Sequence, residues 1–430
     1  MQRRTLGVLT AAQITSGMGT AVSFTLSSVL VTRLSGSEAI GGLAGTATVL
    51  GAALLALPTA KASGAGGRRT GLGLAYGCAT LGCLVTVLAI TAGSWPLLLA
   101  GLVLFGGGSA GNLASRYAAT DLSPAGHSAR HLSWVVWAAT VGSVAGPNLA
   151  DPADQLGQRL GLPPGAGPFA LALLSFVLAM GIIAAGLRPD PLVLARSLAV
   201  PARGTEVTPE GGAGTETRAV AGTGAETRAV AGSAVRSGGT LRTAWQALRT
   251  SPAALRALVA IAVGHTAMVS IMSMTPIHLD HHGAAVSVIG LVISLHIAGM
   301  YVLSPAVGWL ADRVGRVRVL VLGMVLLLAA AVLAGTAGEH GVVQVTAGLV
   351  LLGLGWSCGH VAGSAMLTEA VPLERRPAVQ GLSDLVMNVC GATGTVVAGV
   401  VVQTLSYGAL GAAVAAGVTA TALWLALARR

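Results

Sequence analysis

The 430 residues are 53% hydrophobic and only 9% charged, with a mean hydropathy of +0.78; a chain this apolar cannot provide the wetted surface of a soluble globule. The formal net charge of +10 does not indicate nucleic acid as a partner, because the basic residues are spread over many short loops between apolar runs and form no patch. What remains is a polytopic membrane protein whose first partner is the lipid bilayer.

Apolar runs of about 20 residues, enough to cross a hydrocarbon core about 30 Å thick, lie near residues 7–32, 39–59, 71–92, 96–118, 131–150 and 167–187. They predict six transmembrane helices in a first unit, residues 1–187. The first run is too long for a signal-peptide core and no clear small-residue cleavage site follows it, so it is expected to persist as the first helix. In the fifth run, Gly142-Ser-Val-Ala-Gly146-Pro147 combines small residues with a proline, which suits close helix packing and a kink.

Residues 188–252 interrupt the pattern with a stretch rich in Gly, Ala, Thr, Pro and Arg that has little to bury, and this predicts a disordered tether. It contains a tandem decapeptide, residues 214–223 and 224–233, too short and too few in copies to form a solenoid. At its end, Leu241 to Leu248 with Trp245 reads as a short interfacial helix, and Ser251-Pro252 as an N-cap followed by a first-turn proline.

Six further runs follow in a second unit, residues 253–430, near 254–279, 286–308, 318–336, 343–368, 378–403 and 407–427. The chain therefore reads as an all-α membrane protein of twelve transmembrane helices in two six-helix bundles. With this topology every Lys and Arg except Arg33 and Arg159 falls on one side, and the positive-inside rule places both termini in the cytoplasm. The preference for Arg, 24 against a single Lys, is read as composition bias. Cys78, Cys83, Cys358 and Cys390 all fall within spans and lack framework spacing, which argues against structural disulfides.

Two patterns in the second unit carry chemistry. Met268-x-x-x-Met272 lies on the seventh span and His296-x-x-x-Met300 on the eighth. Thioether and imidazole are soft-to-intermediate donors that favour Cu(I) over hard cations, and an i, i+4 spacing puts both members of each pair on one helix face. A rise of about 1.5 Å per residue places Met268 and His296 at similar depth, about 15 Å from the outer end. Pro276 denies the Met272 carbonyl its helical partner and so frees an oxygen beside the candidate ligands.

Methionine on helices commonly fills core gaps, but the clustering argues for more. Four of the ten methionines and five of the nine histidines lie between His265 and Met300, and an intramembrane histidine is costly unless paired or functional. His265, Cys358 and His360 are candidate auxiliary ligands, with helix packing as the simpler reading for Cys358. His278, Asp280, His281 and His282 form a candidate outer capture site or a solvated polar turn. Asp384, followed one turn later by Asn388, is the candidate proton-coupling carboxylate; Glu369 and Asp121 sit near inner ends. Cys78 is a weaker candidate thiol for Cu(I) than Cys358, and Trp134, Trp137 and Asn112 are candidate cavity liners.

Between the eighth and ninth spans the chain reads Gly308-Trp-Leu-Ala-Asp312-Arg313-Val-Gly315-Arg316-Val-Arg318, which resembles the cytoplasmic loop motif of the major facilitator superfamily. The resemblance extends to the whole chain and implies two pseudo-symmetric bundles, alternating access, and no enzyme activity or tightly bound cofactor. It makes Gly308, Asp312, Arg313, Gly315 and Arg316 a cytoplasmic gate. Asp312 can pair with an arginine or with a helix N-terminus. The first-half counterpart departs from the pattern: aligning Gly67-Arg68 with Gly315-Arg316 puts Gly64 where the aspartate belongs, so the two gates are not expected to be equivalent.

The Gly142 to Pro147 segment is similar to a motif of drug–proton antiporters of the same superfamily. The Met268/Met272 and His296/Met300 pairs, with Met274-Thr-Pro276-Ile-His278 and Ser304-Pro-Ala-Val-Gly308, resemble a copper-importing branch that supplies bacterial respiratory oxidases. That resemblance implies a monomeric importer in the bacterial cytoplasmic membrane, with copper as cargo. A riboflavin-carrying relative of the branch keeps riboflavin uptake open as an alternative, alongside drug efflux and a sensor with the porter fold but no flux. No nucleophile–base or phosphate-loop constellation supports an enzyme.

Overall fold

The computed structural model describes residues 1–199, 239–338 and 341–427. In the first half, α1 (Gln2–Ser35), the short α2 (Glu38–Gly41), α3 (Leu43–Gly66), α4 (Arg68–Thr91), α5 (Trp95–Ala118), α6 (Ser128–Arg159) and α7 (Gly167–Gly186) form one bundle, and α8 (Pro191–Ala199) follows it. After α9 (Thr240–Thr250), the second bundle comprises α10 (Pro252–His281), α11 (Val286–Tyr301), α12 (Ser304–Val314), α13 (Arg316–Gly335), α14 (Val342–Glu369), α15 (Arg376–Thr404) and α16 (Tyr407–Leu427). In a medium that offers no hydrogen bonds, the backbone satisfies its own polar groups within helices.

Eleven of the described helical stretches are long and apolar enough to cross a membrane. α6 is not among them, although it runs for 32 residues. His131, Ser133, Thr140, Ser143 and Asn148 dilute its apolar run, and Asp151 and Asp154 follow. It tolerates this polarity because it packs on α1 and against α12 of the other bundle. Gly142 and Gly146 bring it within contact of the α1 backbone at Gly17, Met18 and Val22, which accounts for the small residues there through packing.

The eighth span differs from the sequence expectation. It is two helices, α11 and α12, separated at Val302 and Leu303, and Pro305 begins the second of them. Proline removes an i to i−4 hydrogen bond and tolerates only the first turn of a helix. The inner six residues of the gate motif, from Trp309 to Val314, extend beyond the expected end at residue 308.

The interruption at 188–252 is helical at both described ends. α8 was not anticipated; Asp190 precedes it and accepts hydrogen bonds from the amides of Leu192 and Val193. α9 buries Ala244, Ala247 and Leu248 and leaves Trp245 exposed. Ser251 Oγ accepts from the Ala254 amide at 3.2 Å and caps α10. The tandem decapeptide lies outside the described residues.

Pseudo-symmetry is visible at the inner loops, the ends that carry Met1 and the starts of α4 and α13. Gly67 and Gly315 both adopt positive φ, 88° and 98°, a region that disfavours residues with a Cβ. The arginine that follows each glycine forms a bidentate pair with a carboxylate at the inner end of α5 or α14: Arg68 with Asp121, just past α5, at 2.7 and 2.9 Å, Arg316 with Glu369, the last residue of α14, at 3.3 and 2.8 Å.

Candidate functional site

Among the described residues, the hydrogen bonds joining the two bundles all lie in the inner half of the molecule. Asp312, at the end of α12, accepts from the backbone amides of Ala129 and Arg130 at 3.2 and 2.9 Å and pairs with Arg316 at 2.7 Å. It therefore caps the N-terminus of α6, where orphan amides and the helix dipole favour an anion. Gly308 lets α12 lie against Ala129 and Ser133 of α6, and Ser304 Oγ donates to the Ser133 carbonyl at 3.1 Å. Arg313 is exposed, its guanidinium 5.1 Å from the Trp309 ring centroid.

The symmetry-related seam, between α3 and α15, is built differently. Gly64 faces Pro377 at the start of α15 with no carboxylate to offer. Gly381 of α15 lies against Ala60 and the Ala56 carbonyl of α3. Arg68 supplies the polar link instead, donating to Gln380 Oε1 at 2.8 Å, and Gln380 donates onward to Thr368 Oγ1.

Deeper in the seam lies a pair that the sequence reading missed. Arg116 of α5 is 1% exposed and reaches across to Asp384 of α15 at 2.8 Å. Its other donors go to Ser364 Oγ of α14, the Leu113 carbonyl and the Tyr117 hydroxyl, and Tyr117 donates to Ser383 Oγ. The signal was present: an arginine inside the apolar run 96–118, with an intramembrane aspartate in another run. Asn388 Nδ2 donates to the Asp384 carbonyl.

Above this pair, toward the outer end, stands an aromatic layer. Trp356 of α14 stacks on His360 with ring centroids 4.3 Å apart, meets Tyr301 edge-on at 5.7 Å and donates from Nε1 to His265 Nδ1 at 3.1 Å. That bond leaves the His265 proton on Nε2, the nitrogen that faces Gly391 of α15. His265, Trp356 and His360, with Ile261, Gly264 and Gly359, line a crevice too narrow to admit a water molecule. Cys358 stands apart from this layer, against Gly323 of α13.

His296 of α11 is fully buried. Its Nδ1 lies 2.8 Å from the Leu349 carbonyl of α14; a carbonyl only accepts, so Nδ1 carries the proton and Nε2 holds a lone pair. Among the described residues, no hydrogen-bond partner meets that Nε2. Met268 and Met300 are buried in the core of the second bundle, with Met272 packed against it. Met268 and His296, at matching depth, could share a site directly if α10 and α11 were antiparallel neighbours. The two helices touch little, because α14 packs against both, and Gly353 of α14 admits the α11 backbone at His296 and Met300.

At the outer end of α10, His278 stacks on Tyr407 at 4.2 Å and lies 4.4 Å from His282, while His282 Nδ1 donates to the His278 carbonyl. Asp280, His281 and His282 are exposed. No group of three or more His, Cys, Asp or Glu side chains suited to a metal occurs among the described residues. Asn112 belongs to a polar knot with Ser16, Tyr76 and Thr20, and Trp134 packs edge-on against Trp137.

The family model described as Major Facilitator Superfamily matches residues 9–285 and 257–430. The chain belongs to the major facilitator superfamily. It is 32% identical over 407 residues to the uncharacterized MFS-type transporter YddS of Bacillus subtilis, covering 95% of this chain and 86% of that one. The riboflavin transporter RfnT of Brucella anthropi is 26% identical over 393 residues, covering 90% and 85% respectively. Among solved structures, a bacterial homologue of the iron transporter ferroportin in an outward-facing state matches with a TM-score of 0.69 at 16% identity, over 99% of this chain and all of that one; at that identity the likeness is one of fold. The protein is thus a multi-pass membrane transporter of the secondary type, with the all-helical architecture of this superfamily.

Proposed function

We propose that this transporter imports copper across the bacterial cytoplasmic membrane by alternating access, with Met268, Met272, His296 and Met300 passing Cu(I) between thioether and imidazole donors. The observation that carries this reading is the His296 side chain: buried, fixed by its Nδ1–H bond to Leu349, and left with a partnerless Nε2 lone pair. A second hydrogen bond that fixes the tautomer is how proteins orient an imidazole for a metal. Met300 sits one turn along the same helix, and Pro276 within α10 leaves the Met272 carbonyl without its helical donor. Both termini are assigned to the cytoplasm by the arginine distribution, so the joined inner seam corresponds to a state closed to the cytoplasm. A monovalent cation gains about 2.3 kcal/mol per 100 mV on moving to the negative interior, enough to drive inward copper movement.

Competition with a colorimetric Cu(I) chelator tests the site in detergent-purified protein. Wild type is expected to withdraw a stoichiometric equivalent of copper, while His296→Ala and Met268→Leu lose that competition and still elute as folded monomer. Equal retention of copper by all three proteins refutes the site.

The Trp356 layer favours a second reading, an organic solute such as riboflavin, the cargo in the name of the Brucella relative. A wall of stacked Trp356 and His360 with Tyr301 edge-on suits a flat heterocycle. Uptake of labelled riboflavin lost in Trp356→Ala and retained in His296→Ala distinguishes it from copper import.

A further inference from the structure

We propose that a groove between the inner halves of α1 and α6 binds one anionic phospholipid from the leaflet on the Met1 side, with the phosphate at Arg3 and Arg130 and one acyl chain lying along α1 as far as Ile14. The site is separate from the cargo path and stands whichever cargo is carried. The groove has a volume of about 400 Å³; apart from Arg3 and Thr10 its lining is apolar, with Leu6, Gly7, Ala11 and Ile14 on α1 and Trp134 on α6.

The groove lies on the outside of the first bundle. On the opposite side of α1, Leu9, Ala12, Gln13 and Ser16 are buried, whereas Arg3, Gly7 and Ala11 are exposed. Its shape comes from how the two helices meet. Gly142 and Gly146 draw α6 onto α1 at Gly17 and Val22, while nothing lies within 4 Å of the point where a Gly7 side chain would begin. The helices therefore touch toward the outer end and leave space toward the inner end.

Length and charge select the occupant. Arg3 and Ile14 are eleven residues apart, about 16 Å at a rise of about 1.5 Å per residue, which is close to half of a hydrocarbon core about 30 Å thick. The groove thus has the reach of one acyl chain. At its inner mouth, Arg130 is exposed and lies one turn before Trp134 on the same face of α6. Side chains on a helix lean toward its N-terminus, so both arginines lean toward the headgroups, and a guanidinium matches the geometry of a phosphate. The carboxylate beside them, Asp312, is already paired with Arg316. Trp134, 41% exposed and meeting Trp137 edge-on at 6.0 Å, supplies the kind of amphipathic wall found at the headgroup boundary.

The experiment uses no cargo, so its failure is separate from failure of the copper reading. Purified protein is reconstituted in vesicles of phosphatidylglycerol and phosphatidylcholine in which one lipid or the other carries brominated acyl chains, which quench tryptophan on contact. The Trp134 contribution is the difference between wild type and Trp134→Phe. A preference for phosphatidylglycerol of about 25-fold is expected at Trp134, about fivefold from each arginine. Arg3→Gln is expected to leave about fivefold. Gly7→Leu fills the groove without meeting a neighbour and is expected to reduce the preference to that of the other six of the seven tryptophans. No preference at Trp134 in wild type overturns the proposal, as does a preference unchanged in Gly7→Leu. An equal preference at the other six tryptophans marks general attraction to the basic inner face and also overturns it. Both substitutions fall at exposed positions; should either fail to fold, the wild-type comparison of Trp134 with the other tryptophans decides.

Discussion

Asp312 Oδ2 lies 2.9 Å from the backbone nitrogen of Arg130, so a carboxylate of α12 in one bundle serves as the cap of α6 in the other. The closed seam is thereby tied to a helix that must be uncapped whenever the inner end opens. A charge at a helix N-terminus contributes about 0.3–1 kcal/mol when exposed and up to about 2 kcal/mol when partly buried. Asp312→Asn is expected to favour the inner-open form by about 5- to 30-fold, read as the distance distribution between spin labels at Lys61→Cys on α3 and Arg375→Cys beside α15, two exposed positions flanking the seam, with little change in melting temperature.

The seam between α3 and α15 lacks such a cap, because Gly64 stands where a carboxylate would lie against the start of α15. Gly64→Asp is expected to add the missing contact, bias the transporter toward closure and slow its turnover. Slower uptake together with a more populated short distance is the expected pair of results; unchanged kinetics contradicts the assignment of Gly64 to this role.

Small residues make the same seam close. Gly381 lies against Ala60 and the Ala56 carbonyl, leaving no room for a side chain. Gly381→Leu is expected to hold the inner end apart, giving the long distance at neutral pH and loss of cargo accumulation, while the protein still reaches the membrane.

Arg68 is 3% exposed and bidentate to Asp121. Removing one member of a buried pair costs about 3–5 kcal/mol because the other charge is left without compensation. Arg68→Ala should therefore lower thermal stability in detergent sharply. Arg68→Lys should recover only part of it, since an ammonium cannot supply the planar fork that meets both carboxylate oxygens and Gln380. Fluorescence-detected size-exclusion after heating reports both.

Much of this architecture was legible because the bilayer imposes length and apolarity on each span, and because glycines and arginines repeat at the inner loops. Pro305 marked a second helix start within the first turn of α12, yet the break in the eighth span went unread, since its apolar run continues through Val302 and Leu303. α8 was missed because Pro191 to Ala199 follows the sixth span within a few residues and reads as part of a low-complexity tether. Periodicity placed Met268 and His296 on helix faces at a matching depth. It says nothing about which helix each face meets, and the insertion of α14 between α10 and α11 is a tertiary fact. Arg116 escaped notice for a related reason: as the last basic residue of a span it looked like an ordinary inner anchor, and only the fold reveals Asp384 opposite.

The central claim is tested most directly by copper uptake into proteoliposomes held at an inside-negative potential, comparing wild type with His296→Ala and with riboflavin as a control cargo. The account predicts potential-dependent copper accumulation in wild type, its loss in His296→Ala, and no riboflavin accumulation in either. Copper entry that is equal in both proteins, or riboflavin uptake without copper uptake, would contradict it.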